Sequence, residues 1–210
     1  MKTIDCTDSY TLPSLEDFTR EAFVREIVYE GVINAHKAYD VLEKSQEVLS
    51  GTIDVRFNTS TNQLTFIDRA LGLTADEMAR VLPDFTTASK GHPFPNGIRD
   101  GLFISAKNGG EAAIKSIKNN RFYRADFKSD TAHTITINTI HANMDAFRYV
   151  HGIPALSNGT VTALNLPHPL PFKTLNALRE ALLEDRRIKA LTQNPHRVIT
   201  LALDNEEVTL

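Results

Sequence analysis

The chain is predicted to adopt an α+β fold: a two-layer sandwich of one mostly antiparallel sheet with helices packed on one face. Three features carry that expectation. Two long stretches, one near each end, space their apolar residues at about the helical period; several shorter segments between and after them alternate apolar and polar residues; and no internal repeat, low-complexity run or change of composition marks a linker. A single domain over residues 1–210 follows, with a flexible lead-in at 1–13.

The first helical stretch is "LPSLEDFTREAFVREIVYEGVINAHKAYDVLEKSQEVLSG", entered at Ser14 with Asp17 three residues on and closed near Gly51, as one helix or two. "TIDVRFN" and "QLTFIDR" then alternate across the polar tip "NTSTN", the pattern of an antiparallel hairpin. "TADEMARVL" is a short helix with Thr74 in the N-cap position. The following segment, Pro83 to Gly97, holds three prolines, two glycines and several small hydroxyl residues, so a long loop is expected there. "IRDGLFISAKNG" returns to a helical pattern; "RFYRADF", "HTITINTI" and "TVTALNL" are further strands. "FKTLNALREALLEDRRIKALTQN" is a helix whose "EDRRIK" run makes a solvated, ion-paired face, and "RVITLAL" is the last strand.

Composition narrows the function classes. With 41% hydrophobic and 23% charged residues the chain can bury an ordinary core, which argues against disorder. A formal net charge of -3 gives no basic footprint for nucleic acid, so small ligands and proteins are the expected partners. Cys6 is the only cysteine, which excludes an internal disulfide and a multi-cysteine zinc site. The polar start "MKTIDCTDSYTLPSLEDF" does not suit a signal peptide, and no window approaches the roughly 18 continuous apolar residues of a membrane span; a cytoplasmic protein is expected.

Two stretches carry chemistry. In "YEGVINAHKAY", Glu30 and Asn34 are four apart and Lys37 lies three beyond, so an acid, an amide and an ammonium share one helical face. A carboxylate can orient a water, an amide oxygen can ligate magnesium, and a lysine can meet phosphate; the same spacing also suits a plain solvated helix face. In "LTFIDRALGLTADEM", Asp68 ends a β-branched, aromatic strand and Gly72 follows before the next helix. A strand-end carboxylate can accept from an exocyclic amine, and glycine lets backbone approach a flat ring; an ordinary strand-to-helix turn has the same residues. The histidines show no metal-binding pair, no P-loop is present, and Ser89 has no partner pattern for a nucleophile.

In chain order these stretches resemble the GHKL superfamily of gyrase, the ninety-kilodalton heat-shock chaperones, histidine kinases and MutL. "E-x-x-x-N" is Glu30 and Asn34, and the "D-x-G-x-G" box is Asp68 to Gly72. "TTASK", with Lys90, resembles the "ATSK" region of MutL, and "GIRDGLFIS" resembles its "GFRGEALAS". "GTVTALNL" resembles the closing strand, and "LEDRRIKAL" and "RVITL" the chaperones' last helix and strand. The likeness runs from about Phe18 to Leu203.

The resemblance implies a Bergerat fold that binds ATP or ADP with Mg²⁺, hydrolyses ATP slowly, and acts as a nucleotide-driven switch through a nucleotide-dependent homodimer, as the chaperones' N-terminal domains do. It implies Glu30 as the general base, Asn34 as the metal ligand and Asp68 as the adenine anchor, with Thr160 nearby and Gly72 bordering the base. Lys37 and Lys90 would be nucleotide contacts. Gly97, Ile98, Arg99, Gly101 and Leu102 would cradle phosphates beneath an ATP lid at 83–97. Lys37, Ala70 and Asp100 depart from the chaperone and MutL pattern, and Lys37 matches the "N-A-x-K" of histidine kinases. A rival register with Glu26 as base would put Glu30 where the asparagine belongs. Two other functions fit the same boxes: a protein kinase similar to the anti-sigma-factor serine kinases or histidine kinases, and a nucleotide-responsive module that binds without catalysis.

Overall fold

The computed structural model describes residues 1–6, 19–45, 50–82, 97–141 and 143–210. Among them lie six helices and one nine-stranded sheet, an α+β arrangement as the sequence predicts. The strands are β1 (Lys2–Asp5), β2 (Gly51–Asn58), β3 (Gln63–Asp68), β4 (Ala112–Lys118), β5 (Arg121–Ser129), β6 (His133–Ile140), β7 (Gly159–Asn165), β8 (Arg197–Leu203) and β9 (Glu206–Thr209). They are ordered β1-β6-β5-β4-β7-β3-β2-β8-β9. Every pairing is antiparallel except β2 with β8, so the sheet is mixed but mostly antiparallel.

The helices are α1 (Arg20–Lys44), α2 (Ala75–Val81), α3 (Gly97–Lys107), α4 (Met144–His151), α5 (Leu175–Glu184) and α6 (Arg186–Thr192). Thr19 caps α1, its hydroxyl accepting from Ala22 N–H at 3.2 Å; the start expected at Ser14 lies outside the described residues, as does the loop at 83–96. Residues 2–5 of the expected lead-in pair with β6 as an edge strand.

Alternation along β3 decides what each face does. Leu64, Phe66 and Asp68 point toward α1, while Ile67 points to the opposite face. α1 crosses close enough that a Cβ at Gly31 would come within 2.4 Å of the Phe66 ring, so only glycine admits this crossing. α3 packs beside α1, with Gly101 against Ile27, and the main core fills the space between these helices and the sheet. The short α4, which the sequence reading did not anticipate, lies on the other face, where Phe147 packs on Ile67, Val161 and Ile153.

The late helix breaks in two at Asp185, whose φ of -73° and ψ of 112° are extended and whose carboxylate caps Arg187 N–H at 2.8 Å. Its "EDRRIK" run is more than a solvated face. The Arg187 guanidinium reaches across to the buried Glu26 of α1 at 2.7 Å, pairs with Asp185, and lies 4.3 Å from the Tyr29 ring centroid. This arrangement ties α6 to α1 and gives Glu26 a structural partner.

Candidate nucleotide site

A cavity of about 490 Å³ opens between α1 and α2 over the cores of β3, β7 and β4. Its size suits a ligand of nucleotide dimensions. Asn34 and Lys37 line it from α1, next to the small residues Gly31, Ala35 and Ala38 that leave the room. Asp68, Gly72, Ile98 and Thr160 also line it, so residues far apart in the sequence converge.

Asp68 sits at the end of β3, directly opposite Thr160 of β7. Burial pushes its carboxyl up to about 6, although the hydrogen bond from Ala70 N–H (3.0 Å), the adjacent Thr160 and the Arg69 charge pull it back toward ionisation. Its neighbour Arg69 turns to the other face: the guanidinium meets Asp54 at 2.9 Å and the Gly152 carbonyl at 2.7 Å, while Arg69 N–H donates to the Tyr39 hydroxyl at 3.0 Å. The end of β3 is therefore held from both sides.

Gly72 has φ of +61°, and a Cβ there would come within 2.2 Å of the Ile117 carbonyl oxygen. Only glycine fits this turn. Ala70 is buried at 3% exposure. α2 then begins with a full capping box: Thr74 accepts from Glu77 N–H, and the Glu77 carboxylate accepts from Thr74 N–H at 2.8 Å.

Other expected site residues stand differently. Glu30 is half-buried one turn before Asn34 on the same stripe of α1, beyond the cavity lining. On α3, Ile98 reaches the cavity, whereas Arg99, Gly101 and Leu102 do not line it. Gly101 faces Ile27, where a Cβ would come within 2.8 Å, and Leu102 is fully buried in the core. Gly97 begins α3. Asp100, whose charge beside phosphate would be repulsive, is buried at 1% exposure and is likewise not in the lining. Lys90 and the rest of "TTASK" lie outside the described residues.

The sequence reading missed the contributions of β4. Ile114 and Lys118 of that strand line the cavity, and Lys118 pairs with Glu77 of α2 at 2.7 Å. Burial would raise the Glu77 carboxyl, but Lys118 and Thr74 N–H outweigh it and hold the carboxyl below the usual range. The signal was present in "AAIKSIK", where Ile114, Ser116 and Lys118 alternate onto one face, but a lysine on each face blurs the apolar period.

No protein-family model matches this chain. Comparison with curated proteins likewise finds no match. Functional assignment therefore rests on the site itself. The cavity sets a carboxylate, Asp68, among apolar residues, with the Lys37 ammonium and the Asn34 amide on its α1 side. Among the described residues no group of three or more metal-ligating side chains converges, so a divalent cation here would need oxygens from its ligand and from water beside the Asn34 carbonyl. No helix among the described residues is long and apolar enough to cross a membrane.

Proposed function

We propose that this chain is an ATP-binding domain of the GHKL type, with a Bergerat fold, and a slow Mg²⁺-dependent ATPase that works as a nucleotide-driven switch. The observation that supports it most is the meeting of Asn34, Lys37, Asp68, Gly72 and Thr160 around one cavity of about 490 Å³, since these residues come from three separate motifs. In this reading Asp68 accepts from the adenine amine beside Thr160, and Gly72 lets the loop wall lie close to the base. Asn34 holds Mg²⁺ through its amide oxygen, and Lys37 meets the phosphates. Bound Mg²⁺ would offset the charge that develops on the phosphates. Glu30, one turn along the same face of α1, orients the attacking water. A homodimer formed on nucleotide binding would be the output.

A second reading has a specific observation behind it. Lys37 lines the cavity while Glu30 lies beyond its lining, which suits a histidine-kinase-like or anti-sigma-factor-kinase-like site, or a module that binds without hydrolysis. Phosphate release separates the readings. Glu30→Ala should retain ATP binding and lower turnover by about 10²–10⁴, the usual range for losing a positioned base. Asn34→Ala should weaken Mg²⁺-dependent binding and turnover together. A wild type that binds Mg·ATP firmly yet releases phosphate no faster than Glu30→Ala would overturn the ATPase reading, and transfer to a serine- or histidine-bearing partner would then be assayed.

A further inference from the structure

We infer that Ser116 is a positioning residue that sets the site's selectivity for the base, an inference that rests on the ATP reading above. Ser116 is fully buried on β4, on the same face as the cavity-lining Ile114 and Lys118, and is the cross-strand partner of Thr160. Its hydroxyl makes two hydrogen bonds with opposite roles. It accepts from Leu73 N–H at 2.6 Å and donates to the Gly159 carbonyl at 3.1 Å.

Those two partners flank the residues around Asp68. Leu73 follows Gly72, and Gly159 precedes Thr160. A Cβ at Gly72 would come within 3.1 Å of the Ser116 oxygen, and one at Gly159 within 2.7 Å of the Asp68 carbonyl, so there is little slack on either side. One hydroxyl thus fixes the spacing between the Gly72 wall and the Thr160 wall, and so the width of the slot in which the Asp68 carboxylate meets a base. Lys118, two residues on, anchors the same loop through Glu77 at the start of α2. Without the Ser116 hydroxyl the Leu73 N–H loses this acceptor and the Gly159 carbonyl loses this donor, so the two walls lose the link that the hydroxyl makes between them. The alternative is a hydroxyl that merely stabilises the fold, and base selectivity distinguishes the two.

ATP and inosine triphosphate (ITP) differ at the amine that Asp68 would read, so the ratio of their affinities reports the slot. The wild-type chain should prefer ATP at least about tenfold, as a charge-assisted hydrogen bond allows. In Ser116→Ala the preference should fall about fivefold or more, while inorganic tripolyphosphate competes as it does with wild type. Ser116→Thr, which retains the hydroxyl, should keep the preference. An Ser116→Ala protein that is less stable but retains the wild-type ATP-to-ITP ratio overturns the inference. If Ser116→Ala does not fold, Ser116→Cys, close in size but a much weaker hydrogen-bond partner, decides: a reduced ratio supports the inference, and an unchanged one overturns it. A wild type that binds neither nucleotide sinks the ATP reading and this inference together. A wild type that discriminates, with variants that discriminate equally, sinks the inference alone.

Discussion

Asp68 of β3 and Thr160 of β7 are register partners across an antiparallel pair, and both line the cavity. The same burial that suits this carboxylate to a ligand makes it unfavourable in the empty fold. Its proton is held more tightly in the native chain, up to about 6, than in the unfolded one.

Asp68→Asn should therefore separate stability from binding. Ionised Asp68 is a cost at neutral pH, and an amide avoids it. Urea denaturation at pH 7.5 should find Asp68→Asn at least as stable as wild type, by up to about 2 kcal/mol, even as ATP affinity falls tenfold or more. A variant that loses both in proportion would mean that the carboxylate is structural.

The same carboxyl gives a pH dependence of definite sign. Its folded value lies above the unfolded one, so its contribution is fully present below about 4 and is lost as pH rises through about 6. The stability advantage of Asp68→Asn over wild type should accordingly shrink between pH 7.5 and pH 5. Growth of that advantage on acidification would contradict the burial argument.

Gly72→Ala should destabilise by about 2–4 kcal/mol, because the turn needs a left-handed φ and a Cβ would press on the β4 backbone. Thermal unfolding measures it. A loss below about 0.5 kcal/mol would mean that the turn relaxes freely, and the slot argument for Ser116 would weaken with it.

Arg187→Ala should cost about 2–3 kcal/mol, below the usual figure for a buried pair because the arginine is 38% exposed while Glu26 is buried at 7%. ATP binding by the folded fraction should be unchanged. Weakened nucleotide binding in Glu26→Gln with full stability would instead revive Glu26 as a site residue.

How much of this was legible follows the period of each segment. β2 and β3 alternate cleanly across a polar tip, so both strands and the location of Asp68 at the strand end could be read directly. α1 could be read through its long apolar stripe, and with it the shared face of Asn34 and Lys37. β4 could not, because lysines fall on both faces and its burial depends on partners far away in the sequence. The single late helix was a reasonable expectation from continuous spacing; Asp185 breaks it by capping, which is a choice between two local hydrogen-bond patterns. The glycine of "IRDGLF" looked like a phosphate-loop residue, yet Gly101 serves helix packing against Ile27, and spacing alone does not separate these roles.

The most direct test of the central claim is calorimetric titration of Mg·ATP into the full chain, run in parallel on the Asp68→Asn variant. The account expects one ATP per chain for wild type, with affinity reduced at least about tenfold in the folded variant. Absence of heat and of competition by ATP in wild type, or equal affinity in a folded Asp68→Asn protein, would contradict it.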